Sequence, residues 1–456
     1  MNPISAAVGD WMQRHGRWIR RIQWGVVLFY GFLIIVPALL PLPDETSRVL
    51  THLTVFAQFV FWGIWWPFVL LSMVLVGRAW CGVLCPEGTL SEWVSGKGRH
   101  WPSPRWIRWG GWPFVAFVGT TVYGQLVSVY QYPKAVLLVL GGSTLAAIVI
   151  GYLYGREKRV WCKYLCPVNG VFGLLSKLSP LHYKVNAEAW RTSYHIPIRI
   201  QPINCAPLVA IRKMEGASDC HMCGRCSGHR GAMALSARSP NHEIVFLGKD
   251  LANGWQTVLM LFGLFGVAIG AFQWTVNPHF IAAKQNAAEW LVERNIMWPF
   301  HENAPWWLLT HYPDQRDVFS WLDGSLLIGY LLGMGLVMGV GLALSLALAV
   351  RLMGPWRRQR FYHLAQALIP LAGCGIFLGL SSLTVKLLKS EGIPLAWAND
   401  ARFLLLAGAN LWSFWLASGI CQYYAPSLRR RLFVIAAFCP ALVLSDYAWA
   451  LMFWIW

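Results

Sequence analysis

Charge is scarce in this chain, and acid is scarcer still. Only 13% of the 456 residues are charged, and 20 Asp and Glu stand against 38 Lys and Arg. Soluble domains carry about 25% charged residues, so an ordinary water-soluble fold is excluded. No C-x-x-C-H occurs, which argues against covalently attached c-type haem. No small-x-small cleavage signal closes the first apolar run, which follows Arg14, Arg17, Arg20 and Arg21. That run is expected to be a retained signal anchor, not a cleaved peptide. Low-complexity and disordered tracts are missing too.

What the chain has in abundance is apolar length. Apolar residues make up 56%, with 28 Trp. Crossing a hydrocarbon core of about 30 Å takes about 20 apolar residues. Nine runs approach that length: 23–42, 54–76, 110–129, 135–154, 253–273, 324–350, 364–384, 403–422 and 432–452. With a cytoplasmic amino terminus and nine crossings, cytoplasmic segments hold 30 of the 38 Lys and Arg. This is the positive-inside bias. It assigns the net charge of +18 to topology and leaves no case for nucleic-acid binding. The reading places the chain in a bacterial inner membrane, with the carboxy terminus periplasmic.

Eight of the eleven cysteines fall on the cytoplasmic side of this topology. Disulfides are disfavoured there, so grouped thiols indicate metal or redox chemistry. Two segments repeat each other 81 residues apart. Arg78, Trp80, Cys81, Leu84, Cys85 and Pro86 recur as Arg159, Trp161, Cys162, Leu165, Cys166 and Pro167. Each copy follows an apolar run. Cysteines at i and i+4 share a helix face, the Pro ends it, and the neighbouring Arg78, Arg159 and Lys163 favour thiolate. Two thiols are half of a tetrahedral site. If the copies pair, Cys81, Cys85, Cys162 and Cys166 make a second metal or iron–sulfur site. A reversible dithiol, a copper site and buried cysteines kept by duplication alone remain open.

The third group, Cys220-His221-Met222-Cys223-Gly224-Arg225-Cys226, has the C-x2-C-x2-C spacing of a bacterial ferredoxin half-motif. Arg230 stands where the fourth Cys would be, and Cys205, followed by Ala206-Pro207, fits as the closing Cys of a preceding half-motif. Its earlier ligand positions are His195, Ile198 and Gln201, none of them Cys. One complete set remains: Cys205, Cys220, Cys223 and Cys226, expected to bind a [4Fe-4S] cluster. A structural zinc site is the competing reading, and His221 or His229 could replace Cys205. Cys374, Cys421 and Cys439 sit singly in apolar runs and are read as buried core residues.

A duplicated C-x3-C-P at helix ends followed by a ferredoxin-type triplet resembles the NapH/NosR/CcoG group of membrane polyferredoxins, over roughly residues 20–250. The resemblance implies cluster ligation by Cys220, Cys223 and Cys226, and makes Cys81, Cys85, Cys162 and Cys166 the membrane-edge cysteines of that group. It also implies electron passage between a donor such as the quinone pool and a respiratory or maturation partner. Unlike NapH-like proteins, this chain has one complete ferredoxin set. Unlike NosR-like proteins, it has no room in its first external loop for a flavin domain, and unlike CcoG-like proteins it ends in five apolar runs. The resemblance therefore names no partner.

In the carboxy-terminal runs, Gly329/Gly333 and Gly335/Gly339 are two G-x-x-x-G pairs expected to pack helices closely. Asp446 lies inside the last run, as a hydrogen-bonded interfacial carboxylate or a proton or quinone site. His52, His279, His301 and His311 lie near the external face without haem-ligand spacing. The whole reads as an all-α polytopic membrane protein of about nine transmembrane helices with a small ferredoxin-like cytoplasmic insert. Residues 1–155 hold helices 1–4 and the first Cys pair. Residues 156–252 hold the second pair and the insert, and 253–456 hold helices 5–9 with an external loop at 274–323. Function is expected to be iron–sulfur electron transfer, as a carrier or oxidoreductase subunit with no catalytic residue of its own. A copper-handling reductase or a redox-sensing assembly subunit is the alternative.

Overall fold

The computed structural model describes residues 3–44, 46–195 and 202–456; positions 198 and 201 of the ferredoxin register lie outside the described residues. Among these, eight helices are long and apolar enough to cross a membrane: Gly16–Leu39, Leu53–Val76, Pro133–Tyr154, Gly254–Gln273, Trp321–Met353, Arg358–Ser390, Ala398–Tyr424 and Leu428–Ile455. The protein is an all-α, multi-pass membrane protein. The run at 110–129 is the exception. It folds as Trp112–Leu126, 15 residues, about 22 Å of helix. Its end unwinds because Val129 N–H turns back to the Gly124 carbonyl at 2.8 Å.

Packing divides the chain into two compact units whose boundaries run through helices. The first comprises residues 1–33, 68–116 and 142–253. Here Pro86–Ser95 lies on Gly142–Tyr154, with backbones so close that a Cβ at Gly151 would sit 2.6 Å from the Ser91 carbonyl oxygen. The insert is built on an antiparallel ladder of Leu181–Val185 and Met233–Ala237, in register Leu181 to Ala237 and Val185 to Met233. Tyr183, Met222, Met233 and Leu235 share its apolar core with Trp190. The amino-terminal helix Pro3–Arg14 packs on that ladder. Gly9 leaves room for Ser227 and Leu235, and the Ser227 hydroxyl donates to the Asp10 carboxylate at 2.7 Å.

The second unit comprises residues 34–67, 117–141 and 254–456. Of the two expected glycine pairs, only Gly335/Gly339 packs: a Cβ at Gly335 would meet Val267 and one at Gly339 would meet Phe262. Gly329 and Gly333 face open space, so no helix packs against that pair among the described residues. A capping box starts Trp321–Met353, where Ser320 accepts from Asp323 N–H and Asp323 accepts from Ser320 N–H. The 274–323 loop contains a helix, Pro278–Glu293, and a short hairpin pairing His311 with Val318. It is bonded to the end of Trp112–Leu126: Thr310 N–H donates to the Leu126 carbonyl at 2.8 Å, and Tyr132 donates to Asp317 at 2.8 Å. Asp446 accepts from the Asn410 amide at 2.8 Å.

Candidate functional site

Both copies of the repeated motif fold the same way around the second cysteine. Cys85 N–H reaches back five residues to the Trp80 carbonyl at 2.9 Å, and Cys166 N–H to the Trp161 carbonyl at 3.0 Å. Such widened turns recur at functional sites. Pro86 and Pro167 then redirect the chain without needing a donor. Cys85 caps the next helix, its sulfur accepting from Gly88 N–H at 3.4 Å.

The structure brings the four sequence-predicted thiols of the repeat to one locus. Burial pushes Cys85 up, and Cys162, Cys81 and Glu87 push it further. Cys166 is raised by burial, then by Glu87, Cys162 and Cys85. Cys162 is pushed up to about 12, mainly by burial, against the pull of Arg159. Neighbouring like charges disfavour ionisation, and the thiols named for Cys85, Cys162 and Cys166 show that the two copies lie together. Cys81 and Cys162 are buried; Cys85 and Cys166 are half-buried.

The second predicted group also converges. Cys205, Cys220, Cys223 and Cys226 line one small cavity together with Tyr183, Pro207, Met214 and His221. Cys220 is pushed up to about 12 by burial and then by Cys223 and Cys205. Burial raises Cys226 too, followed by Cys220, Cys223 and Cys205. His221 is buried, and its Nδ1 has no hydrogen-bond partner among the described residues. Burial drives it well below the usual histidine range, followed by Arg78, Arg159 and Lys163. His229 instead lies edge-on to Trp190. Arg230, at the missing ligand position, is held over Trp190 and Tyr194.

The two groups adjoin. Gly82, between Cys81 and Cys85, lies against the backbone of the ferredoxin triplet. A Cβ there would stand 2.0 Å from the His221 carbonyl oxygen and 2.9 Å from the Cys223 nitrogen. Neither neighbour is the free end of a side chain. Gly82→Ala should therefore cost about 3 kcal/mol, the upper range for overpacking. The expected result is a lowered melting temperature together with iron loss from both groups; a normal melt and full iron would contradict the contact.

Sequence reasoning noted two arginines as nearby charges and missed their exchange. Arg78 precedes the first motif but donates to Asn169 of the second copy at 2.6 Å, and to the Ser218 carbonyl at 2.7 Å. Arg159 precedes the second motif but donates to the Cys81 carbonyl of the first and to Glu92 at 2.7 Å. Both are buried. Glu92 also pairs with Arg225 at 2.6 Å. Burial opposes its ionisation, but Arg159 and Arg225 outweigh burial and hold its carboxyl below the usual range. The repeated Arg at an offset of 81 was the only sequence signal of this arrangement; Glu92 gave none.

The family described as 4Fe-4S binding domain matches the chain twice, over residues 58–107 and 137–186. These matches cover the two repeated motifs, whose four thiols share one locus. In these two segments the chain is similar to 4Fe-4S binding domains, and it resembles NapH-like ferredoxin-type proteins. The Escherichia coli strain K12 protein YccM, provisionally named an electron transport protein, is 26% identical over 234 residues, 44% of this chain and 62% of YccM. The ferredoxin-type protein NapH of Haemophilus influenzae is 26% identical over 178 residues, 35% of this chain and 61% of NapH. The chain thus spans about three fifths of the length of each of these relatives. No solved structure matches it.

The cofactor indicated is a [4Fe-4S] cluster, and the two cysteine groups are the candidates to hold it. Each offers four sulfurs, the number a cubane requires, near the buried Arg78 or Arg159. Among the described residues no three His, Cys, Asp or Glu are arranged around a single metal ion.

Proposed function

We propose that this protein is a membrane-bound one-electron relay with two adjoining iron–sulfur centres. Cys81, Cys85, Cys162 and Cys166 would hold one, and Cys205, Cys220, Cys223 and Cys226 the other. The observation that carries this reading is the contact of Gly82 with His221 and Cys223, which leaves no intervening layer between the groups. What a bound [4Fe-4S] cluster supplies is one-electron storage at a potential set by its surroundings. The protein's own residues exclude water, fix the sulfurs and place Arg78 and Arg159 as permanent positive charge. The thiols, raised by burial, give up their protons as the cofactor is taken up. The printed names of YccM and NapH support an electron-transfer role.

The same geometry, together with the Lys and Arg bias, supports a proposed topology. Thiols of Cys85 and Cys162 can share a locus only if the chain crosses an even number of times between them. Trp112–Leu126 must therefore cross along with Pro133–Tyr154, short as it is; local bilayer thinning accommodates such mismatch. Its hydrogen bonds to the 274–323 loop put its far end with that loop. The reading is nine crossings of a bacterial inner membrane, with the insert cytoplasmic and the carboxy terminus periplasmic. Reporter fusions after residues 240 and 456 should report opposite compartments; the same compartment would refute it.

Purified, anaerobically reconstituted protein should bind about eight irons, four per cube, and show a [4Fe-4S] spectrum that dithionite bleaches reversibly. Cys205→Ala should remove about half of the iron. An undiminished, spectroscopically normal preparation would sink the Cys205 assignment, and a spectrum that never responds to reductant would sink the relay. Adding quinol to protein in nanodiscs tests the quinone link.

A further inference from the structure

A basic cleft of about 480 Å³ opens beside the two cysteine groups. Arg14, Arg17, Arg20 and Arg225 line it, and Gly82 and Cys223 lie in its wall. It shares Arg20 and Arg225 with a neighbouring cavity of about 570 Å³. Glu92 and Glu157 line that neighbour, but Glu92 is neutralised by Arg159 and Arg225, and Glu157 accepts from Asn204. Arg17 and Arg20 are exposed. Neither has a hydrogen-bond or ion-pair partner among the described residues. Arg14 and Arg21 are otherwise engaged, with the Asp10 carbonyl and the Trp18 ring.

Positive charge at the start of a membrane helix is ordinary topology signalling. Here it encloses a cavity that reaches one backbone segment from each cysteine group, which topology does not require. We propose that this cleft is the electron port, and that its occupant is an acidic one-electron carrier protein. The proposal rests on the relay reading above and names the partner class for that site. Complementary charge would steer the partner and orient it, raising its association rate by 10-fold or more at low salt. In the exchange the partner gives up one electron and the cysteine-bound centre takes it up. No bond is made or broken, and no proton is needed.

The test uses full-length, cluster-loaded protein in nanodiscs, with a plant-type [2Fe-2S] ferredoxin as the acidic probe and cytochrome c as the basic control. Binding of oxidised ferredoxin is followed by biolayer interferometry and electron exchange by stopped flow. The expected result is binding and exchange that weaken steeply with salt. Arg17→Glu with Arg20→Glu should lower both about tenfold or more, with iron, sulfide and melting temperature unchanged, while Arg17→Lys with Arg20→Lys keeps both. Equal rates in the Glu and parent proteins, or a loss in the Glu variant seen only in phosphatidylglycerol nanodiscs and not in phosphatidylcholine ones, would overturn the port. Ferredoxin binding without any electron uptake, even from dithionite, would sink the relay reading and leave the docking surface standing. Dithionite reduction without ferredoxin binding would do the reverse.

Discussion

Replacing any one of Cys81, Cys85, Cys162 or Cys166 with Ser should cost as much of the membrane-edge centre as replacing all four. Each repeat brings two sulfurs, and a cube needs four ligands, so neither copy is a site alone. Groups acting as one unit give strongly non-additive mutant effects. The expected readout is loss of about half of the total iron and sulfide in every single mutant and in the quadruple mutant. The second group should keep its own half. Four independent partial losses that add up, or full iron in all four singles, would leave these thiols as remnants of duplication.

The second large effect is expected at Arg159. Its side chain is 2% exposed and ion-pairs with Glu92 at 2.7 Å. Removing one partner of a buried pair costs about 3–5 kcal/mol. Arg225 stays on Glu92, so Arg159→Gln should fall at the low end, about 3 kcal/mol, read as a lower midpoint in chemical denaturation. Taking away a cation near Cys162 and Cys223 should also make both centres harder to reduce. EPR-monitored redox titration should show both midpoints moving to lower potential. Arg159→Lys should keep most of the potential but not the stability, because an ammonium cannot serve Glu92 and the Cys81 carbonyl with a planar fork. Unchanged potentials in Arg159→Gln would show that the arginine only braces the fold.

The parts of this site that could be read from the chain were those with a local period or spacing. The offset of 81 gave the two Cys pairs, C-x2-C-x2-C gave the triplet, and hydropathy gave the spans. What could not be read was through-space. Nothing near Gly82 in sequence indicates that its missing Cβ makes room for His221, 139 positions on. The offset of 81 marked Arg78 and Arg159 as equivalent, but not that they trade places between repeats. The span at 110–129 was misjudged in length because hydropathy does not register the turn closed by Val129 on Gly124. Gly329 and Gly333 were misjudged because spacing says which residues share a helix face, not whether a partner lies against it.

The clasp between Asp10 and Ser227 has a consequence in time. The two residues are 217 positions apart, and at about 5–20 residues per second the ribosome takes roughly 10–40 s to travel from one to the other. For nearly all of that interval the amino-terminal helix has no ladder to rest on, and the first Cys pair, made before its twin, lacks the triplet backbone that will lie against Gly82. The ladder is complete only once Ala237 is made, so docking of Pro3–Arg14 on it comes after every cysteine of both groups has been synthesised.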